Sequence, residues 1–240
     1  ETNKNTALQA LSYINLKQPD LVAFSCYIWS ADLTINFARA IKQISPYTKI
    51  CLGGVEIDPN SLSSDVDFVI QGEGELAFKE LIDYLKGERK LTGVHNIIEQ
   101  DGGGVITGPK SELENLDDLP FPYTVIKNKE FAVARVETAR GCMFNCKFCC
   151  YAKPKLRYFS LEYLKENLSY LFSNFNFKYL TFLDANFNGN KERMFQILDF
   201  VEQNVTKHQK KLAVHAEFRP ELINEETVTR LKEYSFIIDI

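Results

Sequence analysis

The run Ala139-Arg140-Gly141-Cys142-Met143-Phe144-Asn145-Cys146-Lys147-Phe148-Cys149 spaces three cysteines as CxxxCxxC. That spacing wraps three thiolates around one metal cluster. Three ligands leave one iron of a four-iron, four-sulfide cubane open to bind and activate a small molecule, whereas a cluster that only carries electrons is normally closed by a fourth cysteine. A structural zinc site usually gathers four ligands in two separated pairs, and Cys150, adjoining Cys149, is poorly placed to be a fourth; it reads instead as a small buried residue. Two carboxylates follow apolar runs further on. Asp184 in Thr181-Phe182-Leu183-Asp184-Ala185-Asn186-Phe187 and Glu217 in His215-Ala216-Glu217-Phe218-Arg219 either serve a ligand or cap a turn. His215 reads as a satisfied buried histidine. Glycines end two earlier apolar runs, as Gly53-Gly54 and as Gly72-Glu73-Gly74-Glu75. Glycines there let a large planar cofactor or its nucleotide tail lie against the backbone. The second run, through Ala77, also matches the dinucleotide pattern G-x-G-x-x-A, with Glu99 further on. Two glutamates inside such a loop repel a pyrophosphate, and the motif sits late in its sheet, so a plain turn with glutamates stabilising a helix start competes with it.

Positioning these residues requires strands that end where they begin. Leu21 to Phe24, Ile50 to Leu52 and Phe68 to Ile70 are short buried-strand patterns. Leu33, Phe37, Ile41 and Ile44, then Phe78, Leu81, Ile82 and Leu85, are helical stripes between and after them. This alternation predicts a parallel, doubly wound sheet. Ala7, Leu8, Leu11 and Ile14 place a helix ahead of the first strand, and the strand expected before that helix is missing, so the N-terminus reads as a cut. Residues 86 to 130 carry Gly102-Gly103-Gly104, an acidic stretch from Glu112 to Asp118, Pro120 and Pro122, the chemistry of a linker, with a small hairpin at Val94 to Ile98 and Val105-Ile106. Alternation then restarts. Phe131 to Thr138 is a strand delivering the cysteine loop; Tyr179 to Leu183, Leu212 to Ala216 and Ser235 to Ile240 are further strands. Helices begun by Ser160, carried by Met194, Ile197, Leu198 and Val201, and capped by Asn224 lie between them. In a parallel βα barrel, chemistry collects at the C-terminal strand ends, where the cysteine loop falls.

The cysteine triad, with aromatic Phe148 just before its last member, resembles the signature of radical S-adenosylmethionine (SAM) enzymes. The preceding residues resemble the cobalamin-binding domain that one large branch of those enzymes carries, and the closest likeness is to a subgroup whose further C-terminal region has no known function. The resemblance runs over nearly the whole chain, most strongly from Asp20 to Glu75 and from Glu137 to Pro220. It implies an α/β chain: a Rossmann-like cobalamin-binding domain over 1–105, a linker over 106–129, and the first half of a partial (β/α)6 barrel over 130–240, cut short at both ends. It further implies a [4Fe-4S] cluster on Cys142, Cys146 and Cys149, with SAM chelated at the open iron and cleaved by one electron to a 5′-deoxyadenosyl radical. Phe148, Asp184 and Glu217 are the implied SAM contacts. The family often carries a Gly-Gly-Glu run after the second barrel strand; this chain has none, which leaves Asp184 or backbone carbonyls to meet the amino group. Ser25, Tyr27, Gly53, Gly54, Gly72 and Gly74 are the implied cobalamin contacts. The expected chemistry is methyl transfer, rearrangement or redox work on an unknown small-molecule substrate. An external electron donor of flavodoxin or ferredoxin type is the implied partner. The alternative is an iron–sulfur electron-transfer or binding module that never cleaves SAM.

The bulk properties agree with a folded enzyme. With 240 residues and 45% hydrophobic content the chain can bury one or two cores. A net charge of −4 offers no general field for nucleic acid or an anionic membrane. Six cysteines, four of them crowded between 142 and 150, do not form the framework of a small secreted scaffold, and no signal peptide or long apolar span is visible. A reducing cytoplasm is the expected setting.

Overall fold

The computed structural model describes residues 2–54, 64–101, 104–149, 155–208 and 210–240. Two compact units divide the chain, Glu1–Leu113 and Glu114–Ile240.

The first unit runs α1 (Thr2–Lys17), β1 (Leu21–Ser25), α2 (Ala31–Ile44), β2 (Lys49–Gly53), β3 (Phe68–Ile70), α3 (Glu75–Leu85), β4 (Ile97–Asp101) and β5 (Gly104–Thr107). Its sheet has the order β1-β2-β3-β4-β5. The first three strands are parallel and the last two antiparallel. The period of two along the strands decides which helix covers which face. Ile50, Leu52 and Val69 meet Ala38 and Ile41 of α2 in one core, joined by Leu11 and Ile14 of α1. Cys51, Phe68 and Ile70 meet Ala77 and Leu81 of α3 in the other. Helices on both faces explain why β2 and β3 read as unbroken apolar runs.

The hairpin expected inside a linker is instead a pair of strands completing this sheet, because Phe68, Val69 and Ile70 pair with Glu99, Ile98 and Ile97. The chain beyond it is also tied down. Asn96 donates from Nδ2 to the Ser111 carbonyl at 2.8 Å and accepts from the Ser111 amide at 2.9 Å, while a Glu73 carboxylate oxygen accepts from the Leu113 amide at 2.8 Å.

The second unit holds β6 (Val133–Val136), β7 (Ala139–Arg140), β8 (Arg157–Tyr158), α4 (Leu161–Asn174), β9 (Tyr179–Phe182), α5 (Lys191–His208), β10 (Ala213–His215), α6 (Glu225–Leu231) and β11 (Ile237–Asp239). Its main sheet has the order β11-β10-β9-β6, all parallel. The caps fall where the sequence puts them: the Ser160 hydroxyl accepts from the Tyr163 amide at 3.0 Å, and Asn224 Oδ1 from the Thr227 amide at 2.9 Å. The acidic and proline-bearing stretch is a strap on this unit and not a free linker. Leu116, Phe121 and Tyr123 are buried in it. The Tyr123 hydroxyl accepts from the Arg135 amide at 2.7 Å and donates to the Arg135 carbonyl at 3.1 Å, and Asp117 accepts from the Ser160 amide at 2.8 Å. Among the described residues no helix is long and apolar enough to cross a membrane.

Candidate functional site

In the second unit, the parallel strands bring every candidate group to one edge. Val136 pairs with Phe182, Thr181 with His215 and His215 with Asp239, so the segments after β6, β9 and β10 leave the sheet together. The cysteine loop leaves β6 through β7 and returns through β8, a ribbon of two residue pairs, Ala139 with Tyr158 and Arg140 with Arg157. Gly141 opens the loop with φ +82, a conformation that suits glycine.

Cys142, Cys146 and Cys149 are free and half-buried. A turn from the Cys146 carbonyl to the Cys149 amide (3.1 Å) and a contact of the Phe144 amide with Cys142 Sγ (3.5 Å) shape the loop. Among the described residues no group of three or more Cys, His, Asp or Glu side chains converges on a point that would hold a single metal ion. Cys150 lies outside the described residues. Phe148 is 94% exposed, so its ring is left open by the described residues.

Asp184 stands two residues past β9, but it is 4% exposed and its carboxylate oxygens bond to the chain itself. Oδ1 accepts from the amides of Thr138 (2.7 Å) and Ala139 (3.1 Å), and Oδ2 accepts from the Thr138 hydroxyl. Burial pushes its pKa up against the pull of those hydrogen bonds and of Arg193. The oxygens of Asp184 thus bond to the start of the cysteine loop, while the residue also borders the hollow beside Cys142. Glu217 differs: its side chain is 72% exposed beyond β10, with Oε1 3.8 Å from His215 Nε2. His215 is also 3.4 Å from Asp239 and half-buried between the two carboxylates, not enclosed in a core.

Two residues to which the sequence assigns no role, Asn186 and Arg219, stand beside the cysteines. Asn186 lines a hollow of about 10 Å³ with Gly141, Cys142, Met143 and Gly189, room for about one water. Both polar atoms of its amide are buried, with no hydrogen-bond partner among the described residues. A buried amide left unpaired costs about 1–3 kcal/mol, so a polar ligand at this point would recover energy. Arg219 lays its guanidinium 3.9 Å from the centre of the Phe144 ring and places Nη1 3.6 Å from Cys146 Sγ. Asn188 holds the Arg219 backbone through two hydrogen bonds of 2.8 and 2.9 Å. An Asn and an Arg that follow neighbouring strands, 33 positions apart in the chain, carry no spacing signal in sequence.

In the first unit, the other candidates also share one edge. Ser25 pairs with Gly53 and Gly53 with Ile70, so Ser25, Gly53 and Gly72 border the C-terminal ends of β1, β2 and β3. Gly54 has φ +121, and a Cβ on it would lie 2.2 Å from the Cys26 carbonyl oxygen, so only glycine fits. Gly72 has φ +83; Gly74 caps α3 at φ −98, with ordinary space around it. Glu73 spends its carboxylate on the Leu113 amide, so this loop is a turn packed against its own chain and not a pyrophosphate cradle. Tyr27 stacks on Trp29 with centroids 5.0 Å apart at 7°. Trp29 is 79% and Ile28 72% exposed, an apolar platform at that edge which sequence spacing does not reveal.

Residues 3–82 match the family described as the B12 binding domain. The chain is 30% identical to an uncharacterized methyltransferase of Pyrococcus horikoshii over 90% of its own length and 49% of that protein's. It is 30% identical to the cobalamin-dependent radical SAM methyltransferase TokK of Streptomyces tokunonensis over 72% of this chain and 28% of that one. In sequence the chain is thus similar to a cobalamin-dependent radical SAM methyltransferase. It spans about half, or less, of the length of the curated methyltransferases it matches. The fold is shared with the cobalamin-dependent SAM radical enzyme OxsB (TM-score 0.70, 23% identity, 94% of this chain and 35% of that one). It is likewise shared with the radical SAM methyltransferase TsrM of Kitasatospora setae (TM-score 0.71, 14% identity, 95% and 49%). Both units therefore have the α/β architecture of cobalamin-dependent radical SAM enzymes.

Proposed function

We propose that this chain supplies two cofactor platforms of a cobalamin-dependent radical SAM methyltransferase. Support comes chiefly from one observation: the CxxxCxxC loop leaves the C-terminal edge of a parallel sheet beside a buried, unpaired amide, Asn186. Cys142, Cys146 and Cys149 would hold a [4Fe-4S] cluster, a soft thiolate donor set suited to iron. When bound, the cluster supplies the electron that cleaves SAM, and cobalamin carries the methyl group. The residues of the chain bind and orient. Arg219, beside Cys146, offsets the negative charge that three thiolates gather. Asn186 offers a donor and an acceptor to the amino and carboxylate end of SAM, a part the sequence reading gave to Asp184. Phe148 and Glu217, both exposed, remain available for the adenine and ribose. Ser25, Gly53, Gly54 and Gly72 would flank the cobalamin tail, with Tyr27 and Trp29 beside it. A small-molecule methyl acceptor and an external one-electron donor complete the proposal.

Anaerobic reconstitution tests the cluster. The protein should bind about four irons and four sulfides per chain. Cys142→Ala, Cys146→Ala and Cys149→Ala should each abolish that, and Cys150→Ala should not. Adding SAM to the reduced protein should change the electron paramagnetic resonance signal of the cluster. An unchanged signal would return the cluster to the electron-transfer reading.

A further inference from the structure

The cysteine loop is held weakly by its own backbone. Its ribbon has two residue pairs, and a two-stranded hairpin of that length is at best marginally stable by itself. Precise placement of three thiols needs more than this. The rest comes from side chains that arrive from outside the loop and converge on Thr138, which is 1% exposed.

Every polar group of Thr138 is used. Its amide and hydroxyl donate to Asp184, and its carbonyl accepts from the Phe159 amide at 3.1 Å and from Arg193 Nη2 at 3.2 Å. The same Nη2 donates to the Phe159 carbonyl at 2.7 Å, and the guanidinium lies 4.8 Å from the centre of the Tyr158 ring. Thr138 immediately precedes β7 and Phe159 immediately follows β8, so these contacts join the outgoing and returning stems of the loop. Asp184 comes from the end of β9 and Arg193 from the first turn of α5. Burying a carboxylate is costly unless its hydrogen bonds are made, and every one that Asp184 makes goes to Thr138 or Ala139. A residue that only capped its own turn would bond to its own segment.

We infer that Asp184 and Arg193 are positioning residues for the cysteine loop: by clamping Thr138 and Phe159 they fix both stems and thereby set where the three thiols stand. The inference rests on the reading of those thiols as cluster ligands for its purpose, but not for its geometry. Asp184→Asn keeps the shape and presents an amide NH₂ to donors, so the clamp loses acceptors.

The test measures amide hydrogen exchange in the unloaded chain and iron release to a chelator in the reconstituted one. For Asp184→Asn, exchange at 138–140 and 157–159 should rise at least about tenfold while that of β10 stays parental, and iron should leave about tenfold faster. Thr138→Ser, which keeps the hydroxyl, should behave as the parent. If Asp184→Asn does not fold, Arg193→Met reads the same stems, since methionine keeps an unbranched chain but has no N–H to donate to either carbonyl. Parental exchange at the stems in the variants overturns the clamp, as does a rise spread equally over β10 and β11. A parental chain that takes up no iron overturns the cluster reading, and the stem exchange then still decides the clamp.

Discussion

At the scale of single residues, the cysteines separate by environment. Cys26 and Cys51 are buried, and burial pushes the Cys51 thiol up to about 12, far from any thiolate at neutral pH. Cys142, Cys146 and Cys149 are half-buried on a loop beside Arg219. Alkylation of the unloaded native protein at neutral pH, mapped by mass spectrometry, should therefore label the three loop thiols and spare Cys26 and Cys51 until denaturant is added. Labelling of Cys51 as fast as Cys146 would show that the first core opens. The same separation explains the two acids. Asp184 and Glu217 look alike in sequence, each just past a strand, but one carboxylate meets two amides and a hydroxyl while the other meets solvent. Which way a side chain turns at a strand end depends on partners from other elements.

At the scale of elements, β1 and β2 must approach closely at their C-terminal ends. The Cys26 amide donates to the Gly53 carbonyl at 2.6 Å, and the next residue, Gly54, packs its α-carbon against the Cys26 backbone. Gly54→Ala should cost at least about 2–3 kcal/mol, from a backbone conformation reserved for glycine and from a clash with rigid backbone. Gly53→Ala should cost less than about 1 kcal/mol, since the nearest atom to its Cβ would be the Ile70 oxygen at 4.0 Å. Urea unfolding followed by fluorescence reads this directly, because the one tryptophan of the chain, Trp29, sits in the same turn region. Equal stability losses at the two positions would refute the close approach.

At the scale of the whole molecule, two units each present the C-terminal edge of a parallel sheet, and each edge carries one set of candidate groups. A ligand that binds only the folded form stabilises what it binds by mass action, about 2.7 kcal/mol at a concentration a hundred times its dissociation constant. Aqua-cobalamin at such a concentration should slow exchange of the slowest β1–β3 amides by about a hundredfold. Those of β9–β11 should keep their rates if the units unfold separately. Equal protection of both sheets would mean that they unfold as one body.

Much of this organisation is determined by local sequence. The cysteine spacing, the apolar runs of β1, β2 and β3, the stripes of α2 to α5 and the caps at Ser160 and Asn224 each depend on residues within a few positions of one another, which is why they are legible without a structure. Long-range geometry decided the rest. Whether the hairpin of Ile97 to Glu99 with Val105-Ile106 stands alone in a linker or completes a sheet turns on the pairing of Ile97 to Glu99 with Phe68 to Ile70 across an intervening helix. The strap at Tyr123 depends on the Arg135 backbone, and the orphaned amide of Asn186 on a hollow shared with the cysteine loop. The clamp role of Asp184 depends on Thr138, 46 positions away, whose amide it accepts in a buried hydrogen bond. Spacing encodes which groups lie near one another along the chain; hydrogen-bond satisfaction in a packed interior selects which of them remain free to meet a ligand.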